Sequence, residues 1–341
     1  MGTSSNLNTL TQGQPVYTQS ALTIGSGSFN AAVGALNENT TYYYVAFMEV
    51  YVDGEYKEVY GTVKSFKTLS PLTAITLNKD WLEAPESPAS LNGKYLVTTR
   101  AEMNGKDTRN YSILYDPSRY ASLWTAYVLC SAHRGSGSGG SWVNNPLIPA
   151  SKQTSCYKAY PSVDGVTYDR GHQIPNADRN GVDEMMAQTY YSTNMTPQLQ
   201  HGFNGGIWAH LEDAVRSVVA FTDTVYVVTG AAFRKKGGNE TIESIVNTRD
   251  DKVLPVPNYY WKVLLKVKWN NTGDSVVGAS AIGFWLEHRD NYEKGSANYL
   301  PYVTTVDQIE AWTGFDFFSN LSTQFQTTAE NAADWASFVA Y

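Results

Sequence analysis

Cysteine is scarce in this chain, which has two among its 341 residues, Cys130 and Cys156. So few cysteines exclude a fold held together by several disulfides. Their spacing allows either one bridge between them or two buried, unpaired thiols. Our expectation is the bridge, which would close a loop of about 25 residues and point to an oxidising compartment.

Long apolar runs are missing too. No stretch of about 18 apolar residues exists, so no membrane span is predicted. The start of the chain, Met1–Asn6, has no apolar signal core, and position 6 lacks the Ser or Thr of a myristoylation signal. We expect a secreted, periplasmic or cell-surface protein whose native leader has been removed, with a cytosolic location as the alternative.

An excess of positive charge is also absent, because 25 Lys and Arg face 32 Asp and Glu, a formal net charge of −7. This balance argues against a surface coated in basic charge for indiscriminate binding of nucleic acid. It still allows a local basic groove, because charge repulsion is screened within about 10 Å at 0.1 M salt.

What is present is the composition of a folded protein, with 42% hydrophobic and 17% charged residues. The length favours two domains over one. Aromatic residues make up 13% of the chain and include 24 Tyr, which suits a β-rich structure.

The first domain is predicted to be β. Ser28–Val33 alternates in polarity, Leu36–Phe47 leads from a turn into a strand, Asp53-Gly54 is a hairpin signal, and Tyr60–Thr68 closes the set. The pattern resembles the C-terminal part of a fibronectin type III-like sandwich. A complete sandwich has about 100 residues, so we expect residues 1–72 to form a partial one, of unknown partner, joined by a linker at Leu69–Leu77.

Two later stretches carry chemistry. Asp169-Arg170-Gly171-His172 puts a carboxylate, a guanidinium and an imidazole within four residues, with a glycine that lets the backbone turn tightly. His is a general base near neutral pH, and Arg matches a phosphate best. From Asn204 to about residue 220 the sequence predicts one helix, on which Asn204, Trp208, Glu212 and Arg216 form a stripe.

Together the two stretches resemble the DNA/RNA non-specific endonucleases, which have a ββα-metal active site. The resemblance rests on Asp169–His172, on Asn194-Met195-Thr196-Pro197-Gln198, and on the spacing of Asn204, Trp208, Leu211-Glu212 and Arg216. Weaker similarities, at Leu123–Tyr127, Val227–Gly230, Pro257–Lys262 and Ile309–Gly314, extend it over roughly residues 76 to 341.

The resemblance implies a role for each side chain. His172 takes a proton from water, and Arg170 stabilises charge in the transition state. Arg216 matches a family arginine that stabilises the phosphorane or the leaving group, and either arginine could instead position the phosphate backbone. Asp169 supports Arg170 or the waters on the metal, or alternatively caps a turn.

The resemblance also implies one Mg²⁺ ion, replaceable by Mn²⁺, with Asn204 as its direct ligand. The alternative for Asn204 is a helix N-cap. Glu212 would hold waters bound to the ion; otherwise it is a surface partner of Arg216, one turn further on. Trp208 is expected in the core. Asn194 and Gln198 form loop hydrogen bonds or belong to the site.

The remaining sequence predicts an α+β domain over residues 73–341, with a central mixed or antiparallel sheet flanked by helices. The Gly- and Ser-rich stretch Arg134–Ser141 is interpreted as a connector. Strands are predicted at Tyr111–Tyr115, Leu123–Leu129, Thr224–Thr229, Tyr259–Val267 and Val276–Phe284, and helices at Asp183–Gln188, Val306–Thr313 and Ala329–Val339.

The leading hypothesis is therefore a metal-dependent endonuclease that cuts DNA and RNA with little sequence preference. No base-reading motif such as a zinc finger is present. One alternative is an enzyme acting on another phosphodiester. Another is a protein that binds a surface or carbohydrate and has a degenerate nuclease domain, although His172, Asn204 and Glu212 are all intact.

Overall fold

The computed structural model describes Thr3, residues 5–7, Asn37, and residues 40–67, 81–219 and 224–341. The chain divides into two compact units, Met1–Thr73 and Ala74–Tyr341. The predicted strand at Ser28–Val33 and the predicted linker lie outside the described residues.

The first unit contains two antiparallel strand pairs. Strand β1 (Thr41–Tyr44) pairs with β4 (Lys64–Lys67), and β2 (Phe47–Val52) pairs with β3 (Glu55–Tyr60). Asp53 and Gly54 join the second pair, both with positive φ, 56° and 88°. That conformation suits the Asp-Gly hairpin turn, so the hairpin prediction is confirmed. The fibronectin-like sandwich stays a prediction.

The second unit is built on a seven-stranded sheet in which every neighbouring pair is antiparallel. Its order is β15-β14-β13-β10-β7-β6-β5. The strands are β5 (Tyr95–Met103), β6 (Lys106–Asp116), β7 (Ala121–Leu129), β10 (Val225–Ala232), β13 (Tyr259–Trp269), β14 (Val276–Glu287) and β15 (Val303–Thr304). Each of the five predicted strands of this domain is found, most of them longer than expected.

Smaller elements complete the unit. Two more antiparallel pairs are β8 (Tyr168–His172) with β9 (Met195–Leu199), and β11 (Ser244–Val246) with β12 (Val253–Pro255). The helices are α1 (Asp183–Gln188), α2 (Ala209–Val218), α3 (Val306–Thr313), α4 (Thr323–Ala329) and α5 (Trp335–Ala340). No helix within residues 40–67, 81–219 or 224–341 is long and apolar enough to cross a membrane.

Helices cover both faces of the sheet, as the period-2 alternation of strand β13 shows. On one face Trp261 packs against Phe317, 4.9 Å between ring centroids, in a core that also holds Val306 and Ile309 of α3. On the other face Tyr260 packs against Trp208, which directly precedes α2. The unit is thus α+β with a central antiparallel sheet, within the fold class that the sequence predicts.

The C-terminal helices show how capping residues in the sequence determine where a helix begins and ends. Helix α3 has the predicted bounds, because Thr305 Oγ1 accepts a hydrogen bond from the Gln308 amide and Gly314 ends the helix at φ 78°. The single helix predicted at Ala329–Val339 is wrong. Asp334 accepts from the amides of the next helix and starts α5 afresh, after α4 has ended at Ala329.

Gly230 provides a test of packing in this sheet. A Cβ there would lie 2.3 Å from the Leu123 carbonyl oxygen and from the Trp261 ring, neither of which is free to move. We expect Gly230→Ala to lower the free energy of unfolding by about 1–3 kcal/mol, measured by urea denaturation.

The matched control is Gly278→Ala, in strand β14 of the same sheet. There the nearest atom is the hydroxyl of Tyr341, the end of a flexible side chain, at 2.4 Å. We expect little change, within about 0.5 kcal/mol. Equal destabilisation by the two substitutions would contradict the packing argument.

Candidate active site

The Asp-Arg-Gly-His stretch forms strand β8, whose register with β9 sets Asp169 opposite Gln198 and His172 opposite Met195. Gly171 is a strand residue here, not the turn that the sequence predicts. A Cβ on Gly171 would lie 2.2 Å from the Gln198 side chain. The glycine is therefore required because Gln198 crosses directly over it.

Asp169 joins the two predicted stretches. Its carboxylate accepts one hydrogen bond from Asn204 Nδ2 at 2.8 Å and another from Gln200 Nε2 at 3.1 Å. With its nitrogen bound to Asp169, the Asn204 amide turns its oxygen, Oδ1, away from that carboxylate. Asp169 therefore orients the side chain predicted to bind the metal, a function that differs from the turn cap considered for it.

The helix predicted from Asn204 onward is wrong at its start. Residues Gln200–Trp208 form an irregular helical segment with non-helical backbone at His201, Gly202 and Gly206, and α2 begins at Ala209. Gly202 has φ 75°, and a Cβ there would meet the Asp290 carbonyl oxygen at 1.9 Å. Asn204 thus lies before a kink and caps neither helical segment.

His172 lies at the end of β8 with its Nε2 atom buried and without a hydrogen-bond partner among the described residues. The rings of Trp142 and Tyr190 lie 5.5 Å and 5.4 Å from the imidazole. Burial and then the charge of Arg170 lower the pKa of His172 to about 4, against a hydrogen bond to the Arg170 backbone. The imidazole is therefore neutral at pH 7.

Arg170 is held on three sides. Its Nη1 donates to the carbonyl oxygens of Cys156 at 3.1 Å and Tyr157 at 3.3 Å. Its guanidinium carbon lies 3.7 Å from the centroid of the Trp142 ring, a cation–π contact. These contacts fix the guanidinium and leave its other N–H groups for a ligand.

The cysteines are unbridged, so the predicted disulfide is wrong. Cys130 lies after β7 with its sulfur 3.5 Å from His133 Nδ1, whereas the buried Cys156 sulfur lies 3.9 Å from the Tyr190 carbonyl oxygen. The two thiols therefore contact different residues. The argument for an oxidising compartment falls with the bridge, and secretion stays a prediction.

Sequence reasoning missed Trp142, which follows the Gly- and Ser-rich stretch interpreted as a connector. Gly140 lets this loop pass close to Tyr190, since a Cβ there would lie 2.2 Å from its ring. Val143 then bridges to Tyr191 in β fashion. The loop thus places Trp142 against Arg170 and His172. The signal available in the sequence was a Trp directly after the Gly- and Ser-rich stretch.

Glu212 and Arg216 lie on the face of α2 that points to the sheet. Arg216 forms ion pairs with Asp178 at 3.0 Å and with Asp213 at 2.5 Å, and none with Glu212. The surface pair considered for Glu212 and Arg216 is therefore not formed. Trp208, on the same face, is buried in the core as predicted.

The charge that faces Glu212 from the sheet is Lys262, also missed from the sequence. Lys262 is 1% exposed, and its Nζ lies 3.2 Å from Thr229 Oγ1 and 4.3 Å from the Trp208 ring centroid. Burial raises the pKa of Glu212 and lowers that of Lys262, and the attraction between the two opposes both shifts. A Lys flanked by apolar residues, Trp261 and Val263, inside a predicted strand was the signal for this buried charge.

Two further side chains fix the backbone around the site. Asn194, fully buried, accepts from the Ile174 amide and donates to the carbonyls of Ile174 and Thr189, so it forms the loop hydrogen bonds considered for it. His288 Nε2 accepts from the Leu199 amide at 2.8 Å, where β9 leads into the Asn204 segment. Gln198 is buried and without a partner among the described residues.

The structure therefore places the predicted residues in two sets. Asp169 lies on the strand that also carries Arg170 and His172, and it accepts a hydrogen bond from Asn204 of the following segment. Glu212 and Arg216 belong to a buried charge network with Lys262 and Asp178 under α2. Hydrogen bonds link Asn204 to the first set and not to the second.

Comparison with known proteins identifies the family. The family described as DNA/RNA non-specific endonuclease matches residues 92–324, more than half of the chain. The chain therefore belongs to that family, a class of nucleases.

Individual relatives are 28–39% identical to this chain over the matched residues. A nuclease of Nostoc sp. is 28% identical over 226 residues, which cover 66% of this chain and 76% of that protein. The nuclease of Serratia marcescens is 29% identical over 210 residues, 61% and 72% of the two chains. One from Syncephalastrum racemosum is 39% identical over 162 residues, but these cover 45% of this chain and 48% of that protein.

Among solved structures, a chain in the crystal structure of the EndoG/EndoGI complex superposes with a TM-score of 0.51. The match covers 67% of this chain and 89% of that one at 17% identity. At this identity the likeness concerns the fold alone.

The buried pair of Glu212 and Lys262 can be tested without any assay of function. We expect a double-mutant cycle with Glu212→Gln and Lys262→Met to give a coupling free energy of about 1 kcal/mol or more. The reason is that each single variant leaves a buried charge without its main counter-charge. The measurement is urea denaturation between the pKa of Glu212, about 7, and that of Lys262, about 8.

The control cycle uses Arg100 and Asp107, an exposed pair 2.7 Å apart with side chains 43% and 71% exposed. Its coupling should stay below about 1 kcal/mol. A Glu212–Lys262 coupling no larger than that of the control would show that the two charges do not interact.

Proposed function

We propose that this protein is a metal-dependent endonuclease that hydrolyses phosphodiester bonds in DNA and RNA with little sequence preference. One observation carries the proposal: Asp169 of the Asp-Arg-Gly-His strand binds the Asn204 amide nitrogen, which turns the Asn204 oxygen outward. Membership of the DNA/RNA non-specific endonuclease family supports it.

The residues present fit a weakly held divalent cation. Asn204 Oδ1 takes no hydrogen bond from the described residues, and a neutral amide oxygen suits Mg²⁺, which keeps most of its waters and needs few protein ligands. Asn204 would hold the ion directly, and Glu212 would support its waters. When bound, the ion supplies positive charge beside the scissile phosphate.

His172 is the proposed general base. Its buried Nε2 atom has a free lone pair, because burial keeps the imidazole neutral and no described residue occupies that nitrogen. It accepts a proton from the water that attacks the phosphorus. Trp142 and Tyr190 confine the ring, so the lone pair keeps one direction.

Arg170 is the better candidate of the two arginines for stabilising charge on the phosphate. Main-chain carbonyls and the Trp142 ring hold its guanidinium, yet no acidic side chain pairs with it among the described ion pairs. Its positive charge is therefore available. Arg216 is already paired with Asp178 and Asp213, so its charge is largely neutralised.

The metal requirement gives one test. We expect EDTA to abolish plasmid nicking without unfolding the protein, and Mg²⁺ or Mn²⁺ to restore it. Asn204→Ala should remove nearly all turnover at any Mg²⁺ concentration. Asp169→Asn and Glu212→Ala should raise the Mg²⁺ requirement about 10- to 100-fold, because they remove support and not the ligand.

The measurement is the nicking rate against Mg²⁺ concentration for the four proteins, with circular dichroism as the check on folding. Full activity in EDTA, or an Asn204→Ala protein with an unchanged metal curve, would refute the assignment. A parallel panel of duplex DNA, single strands, RNA and small diesters separates a nuclease from an enzyme for another phosphodiester.

The base gives a second test, through pH. A general base works when it is unprotonated, so at saturating Mg²⁺ kcat/KM should fall as the pH drops toward the His172 pKa of about 4. The acidic limb should therefore lie well below the value near 6.5 of an ordinary imidazole. His172→Ala should keep the fold and lose about 10²-fold or more in turnover.

The control is His210→Ala, since His210 Nδ1 contacts Asn298 Oδ1 at 3.1 Å on another side of α2. This variant should keep both the activity and the pH profile. Near-normal turnover of a well-folded His172→Ala protein would remove His172 from the mechanism.

A further inference from the structure

A group of carboxylates lies on the face of the central sheet opposite to α2. The carboxylates of Asp307 and Glu310 on α3 and of Glu330 at the end of α4 approach one another, with one oxygen of each within 4.8 Å of the others. Asp307 is exposed, Glu310 is half-buried and Glu330 is buried.

Glu330 is the member that ordinary packing does not explain. Glu330 is only 6% exposed, and its Oε1 atom is buried without a hydrogen-bond partner in the part of the chain that the structure describes. An unpartnered buried carboxylate oxygen is costly, because it has lost its hydration and gained nothing in return.

The amides at the start of α3 do not compensate it. The Val306 and Asp307 amides donate to the main-chain carbonyl of Glu330, at 2.9 Å and 3.3 Å, not to its carboxylate. The Gln308 amide is taken by Thr305 Oγ1. The helix terminus thus fixes the position of Glu330 without satisfying its side chain.

No basic side chain compensates the cluster either. None of the ion pairs among the described residues involves these three carboxylates. The nearby charges that act on Glu330 are Glu310, Asp307 and Asp316, all of the same sign. A proton or a cation from solution is therefore the remaining source of neutralising charge.

We propose that Asp307, Glu310 and Glu330 bind one Ca²⁺ ion that ties α3 to the end of α4. Oxygen ligands of Ca²⁺ lie at about 2.3–2.6 Å from the ion, so two of them on one ion are at most about 5 Å apart. The three carboxylate oxygens meet this condition, because all of them lie within 4.8 Å of one another.

The rest of the coordination sphere is open to water. The exposed side of Asp307 faces solvent, and Ca²⁺ accepts six to eight oxygens in a flexible geometry. Glu310 Oε1 is fixed by the Phe317 amide at 2.7 Å, which keeps its carboxylate in place before the ion arrives. The site is separate from the nuclease centre and does not depend on the proposed function.

The test uses the full chain and CaCl₂. Isothermal titration should show binding, and Ca²⁺ in excess over EGTA should raise the midpoint of thermal unfolding by about 5 °C. Asp307→Asn, at an exposed position, should fold normally and bind at least about tenfold more weakly. Glu330→Gln should lose the Ca²⁺ response and be as stable as wild type, or more so, in EGTA.

The last result separates an ion site from a structural role, because a structural Glu330 would lose stability in both conditions. Asn204→Ala is the matched control and should keep the Ca²⁺ response, since it removes only the proposed nuclease metal. The proposal is overturned if wild type neither binds Ca²⁺ nor is stabilised by it. It is equally overturned if Asp307→Asn and Glu330→Gln respond as wild type does, or if lowering the pH stabilises the protein and Ca²⁺ does not.

Discussion

The candidate active site depends on the antiparallel pairing of β8 with β9. This pairing sets the Asp-Arg-Gly-His strand beside the segment that leads to Asn204, so that Asp169 can bind the Asn204 amide. The fit is close, because Gln198 crosses the bare Cα of Gly171. Neither strand belongs to the seven-stranded sheet, and so the pair is held there by side chains such as His288, which accepts from the Leu199 amide.

The sheet contributes to the same region through buried charge. Lys262 and Glu212 attract each other between α2 and the sheet, and Asp178 forms an ion pair with Arg216 of the same helix. A buried ion pair is rarely a net source of stability, because desolvation offsets the attraction. Its value here is in specificity: a helix that carries Glu212 and Arg216 finds counter-charges in one register only. The orientation of α2 is then fixed more narrowly than apolar packing would fix it.

Features that depend on neighbouring residues in the sequence could be predicted, whereas features that depend on contacts between distant segments could not. The Asp-Gly hairpin and the bounds of α3 follow from turn and capping residues that lie next to each other in the sequence. The kink at Gly206 and the new start at Asp334 depend on backbone angles that a periodic pattern does not reveal. Likewise, the motif identified the candidate site residues. Their neighbours Trp142 and Lys262 come from distant segments of the chain that only folding brings close to the site.

Carboxylates in this protein are handled in three ways, and the difference lies in what surrounds them. Asp178 pairs with Arg216, and Lys262 faces Glu212, so each of these buried carboxylates has a positive charge nearby. Asp169 faces two amide nitrogens and serves to orient one of them. Glu330 faces only other acids. A buried negative charge needs a partner. Asp178, Glu212 and Asp169 have such partners within the chain, whereas Glu330 needs a proton or a cation from solution. The surroundings of a carboxylate, more than its presence, therefore indicate where this fold has room for an ion.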